Sequence, residues 1–207
     1  DCRKAGIKPI TACEIYECNN HLEQNPDDKY HHLLLIAKNT VGLHNLYKII
    51  SEGYVHGFYR KPRVSVKWVK DNDLGEGIIC LTACQAGRVS RYLEQDRRDD
   101  AENFVHLLKD TFDYVVLEIQ SHPTEQQIKC NFNILGLALD MNMPYVITSD
   151  AHMATADQLE THSIFVGISQ DREVGESYVG CHLQNEHDVW KYLKGTEAGS
   201  VIQKGID

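Results

Sequence analysis

Pro144-Tyr145-Val146-Ile147-Thr148-Ser149-Asp150-Ala151-His152 sets an apolar run of strand length directly before two side chains able to hold a metal. Tyr, Val, Ile and Thr suit a pleated, half-buried surface, so Pro144 to Thr148 is predicted as a strand. In the extended backbone that follows, residues two apart point to the same side, which puts Asp150 and His152 together. Sites assemble at the carboxyl ends of parallel strands in α/β folds. A lone D-x-H pair is a weak signal, so the rest of the chain has to supply its context.

Outward from this stretch, strand-length apolar runs alternate with helix-period segments, the pattern of an α/β fold with largely parallel strands. The other strand candidates are Lys8 to Ile15, Leu33 to Ala37, Gly77 to Leu81 and Tyr114 to Ile119. Helices are predicted over Gly42 to Glu52, Ser65 to Lys70, Ala86 to Glu94, Asp99 to Phe112, Thr124 to Asn142, Asp157 to Ser169 and Glu186 to Leu193. Val174 to Gln184, glycine-bearing and aperiodic, reads as a loop. Residues 1–195 read as one domain and 196–207 as a linker or ragged end.

The 207 residues, 42% of them hydrophobic, suffice for one buried core. No run approaches the roughly 20 apolar residues of a membrane span, and no charged-then-apolar leader opens the chain, so no membrane contact is expected. Seven cysteines at irregular spacings do not read as a disulfide framework and fit a reducing, cytoplasmic setting. A net charge of -9 opposes autonomous nucleic-acid binding, so contact with DNA is expected to be local or made by other domains of a larger protein. Asp1 to Gly6 reads as the last turn of a helix, which leads to the expectation that the polypeptide extends upstream.

Polar residues stand repeatedly beside these runs. Glu14 is placed at the end of the first strand, His32 before its apolar run, Cys84 after Gly77 to Leu81, and Asp150 with His152 after Pro144 to Thr148. His32 reaches the same rim if the connection from Glu14 to His32 reverses direction. Two carboxylates, two imidazoles and a thiol suit zinc or manganese in a multinuclear hydrolytic centre acting on phosphate esters. Each also has a plain reading: Glu14 as a solvated acid, His32 as an edge residue, Cys84 as a small packed hydrophobe.

Five motifs tip the balance: Ala5 to Glu14 (AGIKPITACE), His32 to Asn39 (HLLLIAKN), Gly57 to Arg63 (GFYRKPR), Glu76 to Cys84 (EGIICLTAC) and Ile147 to His152 (ITSDAH). In order and spacing they resemble the PHP domain, named for polymerase and histidinol phosphatase, of the family C DNA polymerase III alpha subunit. The resemblance runs from residue 5 to about residue 168. It implies a distorted (β/α)7 barrel, incomplete here at its N-terminus, whose rim holds up to three divalent ions, zinc or manganese, in the intact domain and fewer in this chain. By resemblance Glu14 is the bridging glutamate, His32 the histidine before the apolar strand, Cys84 the cysteine variant of the next ligand, and Asp150 with His152 the final pair. His32 is preferred to His31 because it abuts the Leu-Leu-Leu-Ile run. The family's opening H-x-H and the Asp and His after it are expected upstream of residue 1.

Tyr59, Lys61 and Arg63 form an aromatic-basic cluster that reads either as a phosphate holder or as a solvated turn around Pro62. His122, after a strand, reads as a group orienting a ligand or substrate. His162 reads as a packing residue, His106, His182 and His187 as surface positions, and Cys80 as a strand core residue. Two functions of different class follow from the resemblance. One is a metal-dependent phosphoesterase acting as a 3′ to 5′ exonuclease in the intact polymerase. The other is a structural domain that docks a proofreading exonuclease subunit. A stand-alone histidinol-phosphatase-like enzyme fits less well, because Gly57 to Arg63 matches the polymerase branch.

Overall fold

The architecture, given by a computed structural model that describes residues 1–171 and 178–206, is mixed α/β and falls into two units, Asp1–Leu117 and Glu118–Asp207. The expected loop from Val174 to Gln184 lies outside the described residues over 174–177. Among the described residues, no helix is long and apolar enough to cross a membrane.

A reversal of direction organises the first unit. After a 3-10 turn, Arg3–Ala5, closed by Gly6 at φ 72°, strand β1 (Ala12–Glu17) runs antiparallel to β2 (His31–Ala37). Ala12 stands opposite Ile36 and Glu17 opposite His31. Parallel neighbours need a crossover, usually helical, and the connection over 18–30 has no helix. Asp28 holds that connection shut, its carboxylate accepting from Asn19 N, Asn19 Nδ2 and Asn20 N at 2.8–3.1 Å.

Helix α1 (Thr40–Val55) starts where the Asn39 side chain accepts from Gly42 N at 2.9 Å, an N-cap that satisfies an otherwise orphaned donor. It leads to a hairpin of β3 (Phe58–Tyr59) and β4 (Lys61–Val64), and β4 lies parallel to β1. Then come α2 (Val66–Asp71) and β5 (Ile78–Leu81), which is antiparallel to β2. Helices α3 (Arg88–Glu94) and α4 (Arg98–Thr111) form the crossover to β6 (Tyr114–Gln120), parallel to β5. The strand order here is β3-β4-β1-β2-β5-β6.

The sheet is therefore mixed, which corrects the expectation of largely parallel strands. β1 to β2 and β3 to β4 are joined without a helix, and β5 runs antiparallel to β2 although α1 and α2 lie between them, so an intervening helix alone does not set parallel pairing. The core of this unit is Leu33 and Leu35 of β2, Ile78 and Cys80 of β5, Leu46 and Ile49 of α1, and Val105 and Leu108 of α4, all 0–1% exposed. Gly42 admits no side chain, because a Cβ there would lie 1.8 Å from Gly77 O.

In the second unit β6 ends at Gln120, and α5 (Glu125–Asp140) follows from an N-cap at Thr124. Asn131 of α5 takes the place of a strand neighbour for Gln120: its Nδ2 donates to Gln120 O at 2.7 Å, and its Oδ1 accepts from Gln120 N at 3.1 Å. β7 (Tyr145–Thr148) leads through a 3-10 turn, Ala156–Gln158, into α6 (Leu159–Gln170), then α7 (Glu186–Leu193) and α8 (Glu197–Ile206). The segment expected as a linker is thus a helix, with Ala198 and Ile202 buried at 1% and 4%.

Candidate metal centre

Three of the five predicted donors lie in the first unit and meet at one atom. His32 Nδ1 is 3.2 Å from Glu14 Oε1 and 3.6 Å from Cys84 Sγ. The strand register explains the first contact. Glu14 pairs with Leu34, and His32, two residues before Leu34, is its diagonal neighbour on the same face. Leu33 and Leu35 point to the other face and are buried. Glu14 is the third residue of β1, which begins at Ala12 and continues to Glu17, so it sits within the strand and not at its end.

Cys84 arrives by a turn stitched to β2. His32 N donates to Ala86 O at 3.1 Å, and Gly87 forms a bridge with His32. Cys84 O accepts from Gly87 N at 2.8 Å and from Ser90 Oγ at 3.1 Å. The turn tolerates glycine alone at 87, where a Cβ would come within 2.2 Å of Thr82 O, and it holds Ala83 at φ 60°. Left-handed backbone at a non-glycine residue is a strain that tends to persist where a site needs it.

The two adjacent histidines have opposite electrostatics. Hydrogen bonding to Cys84 and then to Glu14 outweighs burial and pushes the His32 imidazole up to about 10. Burial, followed by the charges of Arg88 and Arg91, pushes His31 down to about 4 despite a hydrogen bond at Ala86. One ring is placed beside a carboxylate and a thiol and the other near guanidinium groups.

The donor types at His32 fit zinc or manganese. Zinc bonds of about 2.0–2.1 Å to N and O and about 2.3 Å to S give tetrahedral edges of roughly 3.4 Å for N···O and 3.6 Å for N···S. The separations of 3.2 and 3.6 Å at His32 Nδ1 are near these values and are equally those of hydrogen-bonded neighbours. Among the described residues, no group of three or more His, Cys, Asp or Glu side chains forms a ready metal cage. The triad is a hydrogen-bonded cluster in which one nitrogen faces both partners.

Asp150 and His152 lie in the second unit and form their own pair. Asp150 adopts φ 45°, and His152 Nδ1 stands 2.6 Å from Asp150 O and 3.9 Å from Asp150 Oδ1. The exposed His152 ring packs edge-on with His162, 5.8 Å away, and with Tyr178, 4.9 Å away. His162 Nε2 is buried without a hydrogen-bond partner. His122 is 7% exposed, and its Nε2 donates to Ser149 O at 2.8 Å, which fixes the residue preceding Asp150. Cys181 Sγ lies 3.6 Å from the same nitrogen.

Two expectations need correction. Arg63, read as a phosphate holder, is 1% exposed. Its terminal nitrogens donate to Glu23 O at 2.7 Å and Asp28 O at 3.4 Å, so it pins the β1–β2 connection. His182, read as a surface residue, is 8% exposed and bridges to Met153. Sequence reasoning also missed the buried pair of Glu17 Oε2 and Arg88 Nε, 2.6 Å apart, and the His21–Glu52–His56 series.

The profile of the PHP domain family matches residues 1–122. Among curated proteins, the DNA polymerase III subunit alpha of Aquifex aeolicus is 32% identical over 212 residues, covering 94% of this chain and 18% of that protein. The subunit of the same name from Treponema pallidum is 32% identical over 202 residues, covering 95% of this chain and 17% of its own length. That from Campylobacter jejuni is 29% identical over 213 residues, with 95% and 17% covered. The chain therefore spans under a fifth of the length of these relatives.

Proposed function

Since the chain belongs to the PHP domain family, we propose that it is the phosphodiester-hydrolysing domain of a DNA polymerase III alpha subunit, acting as a 3′ to 5′ exonuclease on mispaired termini. The observation that carries this reading is the convergence of Glu14 and Cys84 on His32 Nδ1. Glu14, His32 and Cys84 would hold one divalent ion, zinc or manganese, and Asp150 with His152 offer a second donor pair. A bound ion of this kind supplies Lewis-acid polarisation of a phosphoryl oxygen and a nucleophile at neutral pH. The chain's own share is orientation. The β1–β2 register fixes Glu14 beside His32, the 82–87 turn delivers Cys84, and His122 holds the backbone ahead of Asp150. In this reading the rest of the polymerase chain is the partner, duplex DNA is engaged through its other domains while the frayed single-stranded terminus enters this one, and a proofreading subunit docks on the assembly.

The test pairs metal content with hydrolysis of a single-stranded oligonucleotide, using Cys84→Ser, His32→Gln and Asp150→Asn alongside the unaltered protein. The expected outcome, with the chain extended upstream through the segment expected to carry the H-x-H ligands, is bound metal and metal-dependent cleavage in the unaltered protein. Each variant, with an unchanged circular dichroism spectrum, loses about 100-fold or more in rate, as when a group acting on developing charge is removed. Wild-type rates in all three variants refute the reading. Bound metal that raises the melting temperature with no cleavage in any form assigns the domain instead to the docking role.

A further inference from the structure

The β1–β2 connection, the tip of the β3–β4 hairpin and α3 border a cleft of about 660 Å³ within the first unit, and His32 lines it. Its charge runs against that of the chain, which carries a net -9. Lys29, Arg60 and Arg91 all line it. The acid among the lining residues, Asp28, spends its carboxylate on Asn19 and Asn20 of its own connection. Arg63 also lines the cleft, with its Nε buried and without a hydrogen-bond partner. Arg91 bonds Glu94 across an exposed helix turn at 2.8 Å, a contact that a phosphate can displace at little cost.

The hairpin tip supplies an independent observation. Arg60 is the single residue between β3 and β4 and is held at φ 63°, a backbone region that favours glycine or asparagine over any longer side chain. An outlier of this kind points to a demand on the side chain itself. The Arg60 guanidinium stands 5.4 Å from the ring centre of Tyr59, another lining residue.

We propose that this cleft is a phosphate-binding subsite in which Lys29, Arg60 and Arg91 hold the backbone of a single-stranded nucleic acid whose scissile linkage lies at His32. The proposal rests on the phosphodiesterase reading above and names the residues that position its substrate. Three separate cations on one cleft suit successive phosphates of a chain, and guanidinium groups pair with them through charge-assisted, bidentate hydrogen bonds.

The experiment measures binding of a labelled oligothymidylate to the complete chain by fluorescence anisotropy over a range of salt, with chelator present so that nothing is cleaved. Arg60→Gly relieves the backbone strain and so folds at least as well as the parent, and Arg91→Gln removes a half-exposed charge together with its helix-surface pair to Glu94. Each is expected to weaken binding about tenfold at low salt and to lower the slope of log K against log salt by about 0.7. Inorganic phosphate is expected to compete only at far higher concentration than the oligonucleotide. Unchanged affinity and slope in both variants overturn the proposal, as does competition by inorganic phosphate at equal phosphate concentration. The two readings fail separately. Variants that shift binding while no form of the protein cleaves leave the subsite standing and remove the phosphodiesterase. Cleavage by the unaltered protein with unshifted binding in the variants removes the subsite alone.

Discussion

Replacing Arg88 with Met probes the most deeply buried charge pair described in the first unit. Arg88 is 5% exposed and Glu17 3%, with Nε and Oε2 2.6 Å apart. A second nitrogen donates to Asn19 Oδ1 at 2.8 Å and Tyr92 Oη at 3.1 Å, and the guanidinium lies 5.3 Å from the Phe104 ring centre. Methionine keeps the apolar stem and removes the charge, leaving the Glu17 carboxylate buried without its counter-ion. Removing one partner of such a pair costs about 3–5 kcal/mol. At about 2–4 °C per kcal/mol for a chain of this size, the melting temperature of the first unit should fall by roughly 6–20 °C. The chain has two tryptophans, Trp68 in the first unit and Trp190 in the second, so a Trp190→Phe background lets fluorescence report the first unit alone. The pH dependence fixes the cause. Burial pushes the Glu17 carboxyl up, and Arg88 pulls it back. Without Arg88 the carboxyl rises further. A group whose folded-state value is raised contributes stability below its unfolded value and loses it as pH rises through the folded one. The deficit of Arg88→Met should therefore grow as pH rises above about 7, where the parent's carboxyl ionises beside Arg88 and the variant's cannot, and be smaller and constant below it. Adding Glu17→Met should recover most of the loss, since an apolar pair of similar volume is often as stable as the ion pair. A deficit that does not vary with pH, or a double variant no better than Arg88→Met, would refute the reasoning.

Gly42→Ala drives a Cβ to within 1.8 Å of Gly77 O, while Gly136→Ala in α5 meets nothing within 4 Å. Thermal unfolding should show the first destabilised by about 3 kcal/mol or more and the second stabilised by about 0.4–1 kcal/mol; equal effects would mean that the α1–β5 approach is not tight. Glu52 accepts from buried His21 Nε2 at 3.0 Å and lies 2.8 Å from His56 Nδ1. His21 Nδ1 accepts from Ser65 N at 3.2 Å, which places its proton on Nε2. Burial raises the Glu52 carboxyl, but the hydrogen bonds to His21 and His56 outweigh it and hold it below the ordinary 4.5. A depressed carboxylate contributes stability above its unfolded value and loses it as pH falls through the folded one. Glu52→Gln should thus destabilise the chain near neutrality and flatten the acid limb below about pH 4.5 in urea titrations; parallel curves would rule out Glu52 as the titrating group.

Strong, uniform patterns were legible in the residues. Helix α7 falls on Glu186–Leu193 as read, and β2 and β6 differ from their predicted runs by one or two residues. Short or compositionally ambiguous elements were not. β3 and β4 have two and four residues, one of them Pro62, and show no period-two signal over such lengths. Arg63 alternates into the core as a β4 residue opposite Tyr16, a burial that no charge-based reading anticipates. Helix α8 reads like a linker because Gly195, Gly199 and Ser200 dominate the eye. Its signals were the Thr196 hydroxyl, which accepts from Gly199 N at 3.0 Å, and the four-residue spacing of Ala198 and Ile202. For the site, residue types pointed to a donor set, while the contacts depended on pairing register.

Register and site are one fact seen twice. Side chains along a strand share a face only at every second residue, so Glu14 and His32 meet because Tyr16, and not a residue one step away, stands opposite His32. A slip of one residue would carry Glu14 to the face where Leu33 and Leu35 are buried, an outcome opposed by desolvation of the carboxylate and exposure of both leucines. The apolar alternation of β2 therefore enforces the geometry of the polar cluster on its other face. Cys84, 52 residues further along the chain from His32, depends on a different device. The β2–β5 pairing ends at Leu34 and Leu81, and the turn beyond it bonds back to the His32 backbone through Ala86. Thiol and imidazole are thus held by main-chain hydrogen bonds, and a substitution that spares those bonds should leave the remaining two donors in place.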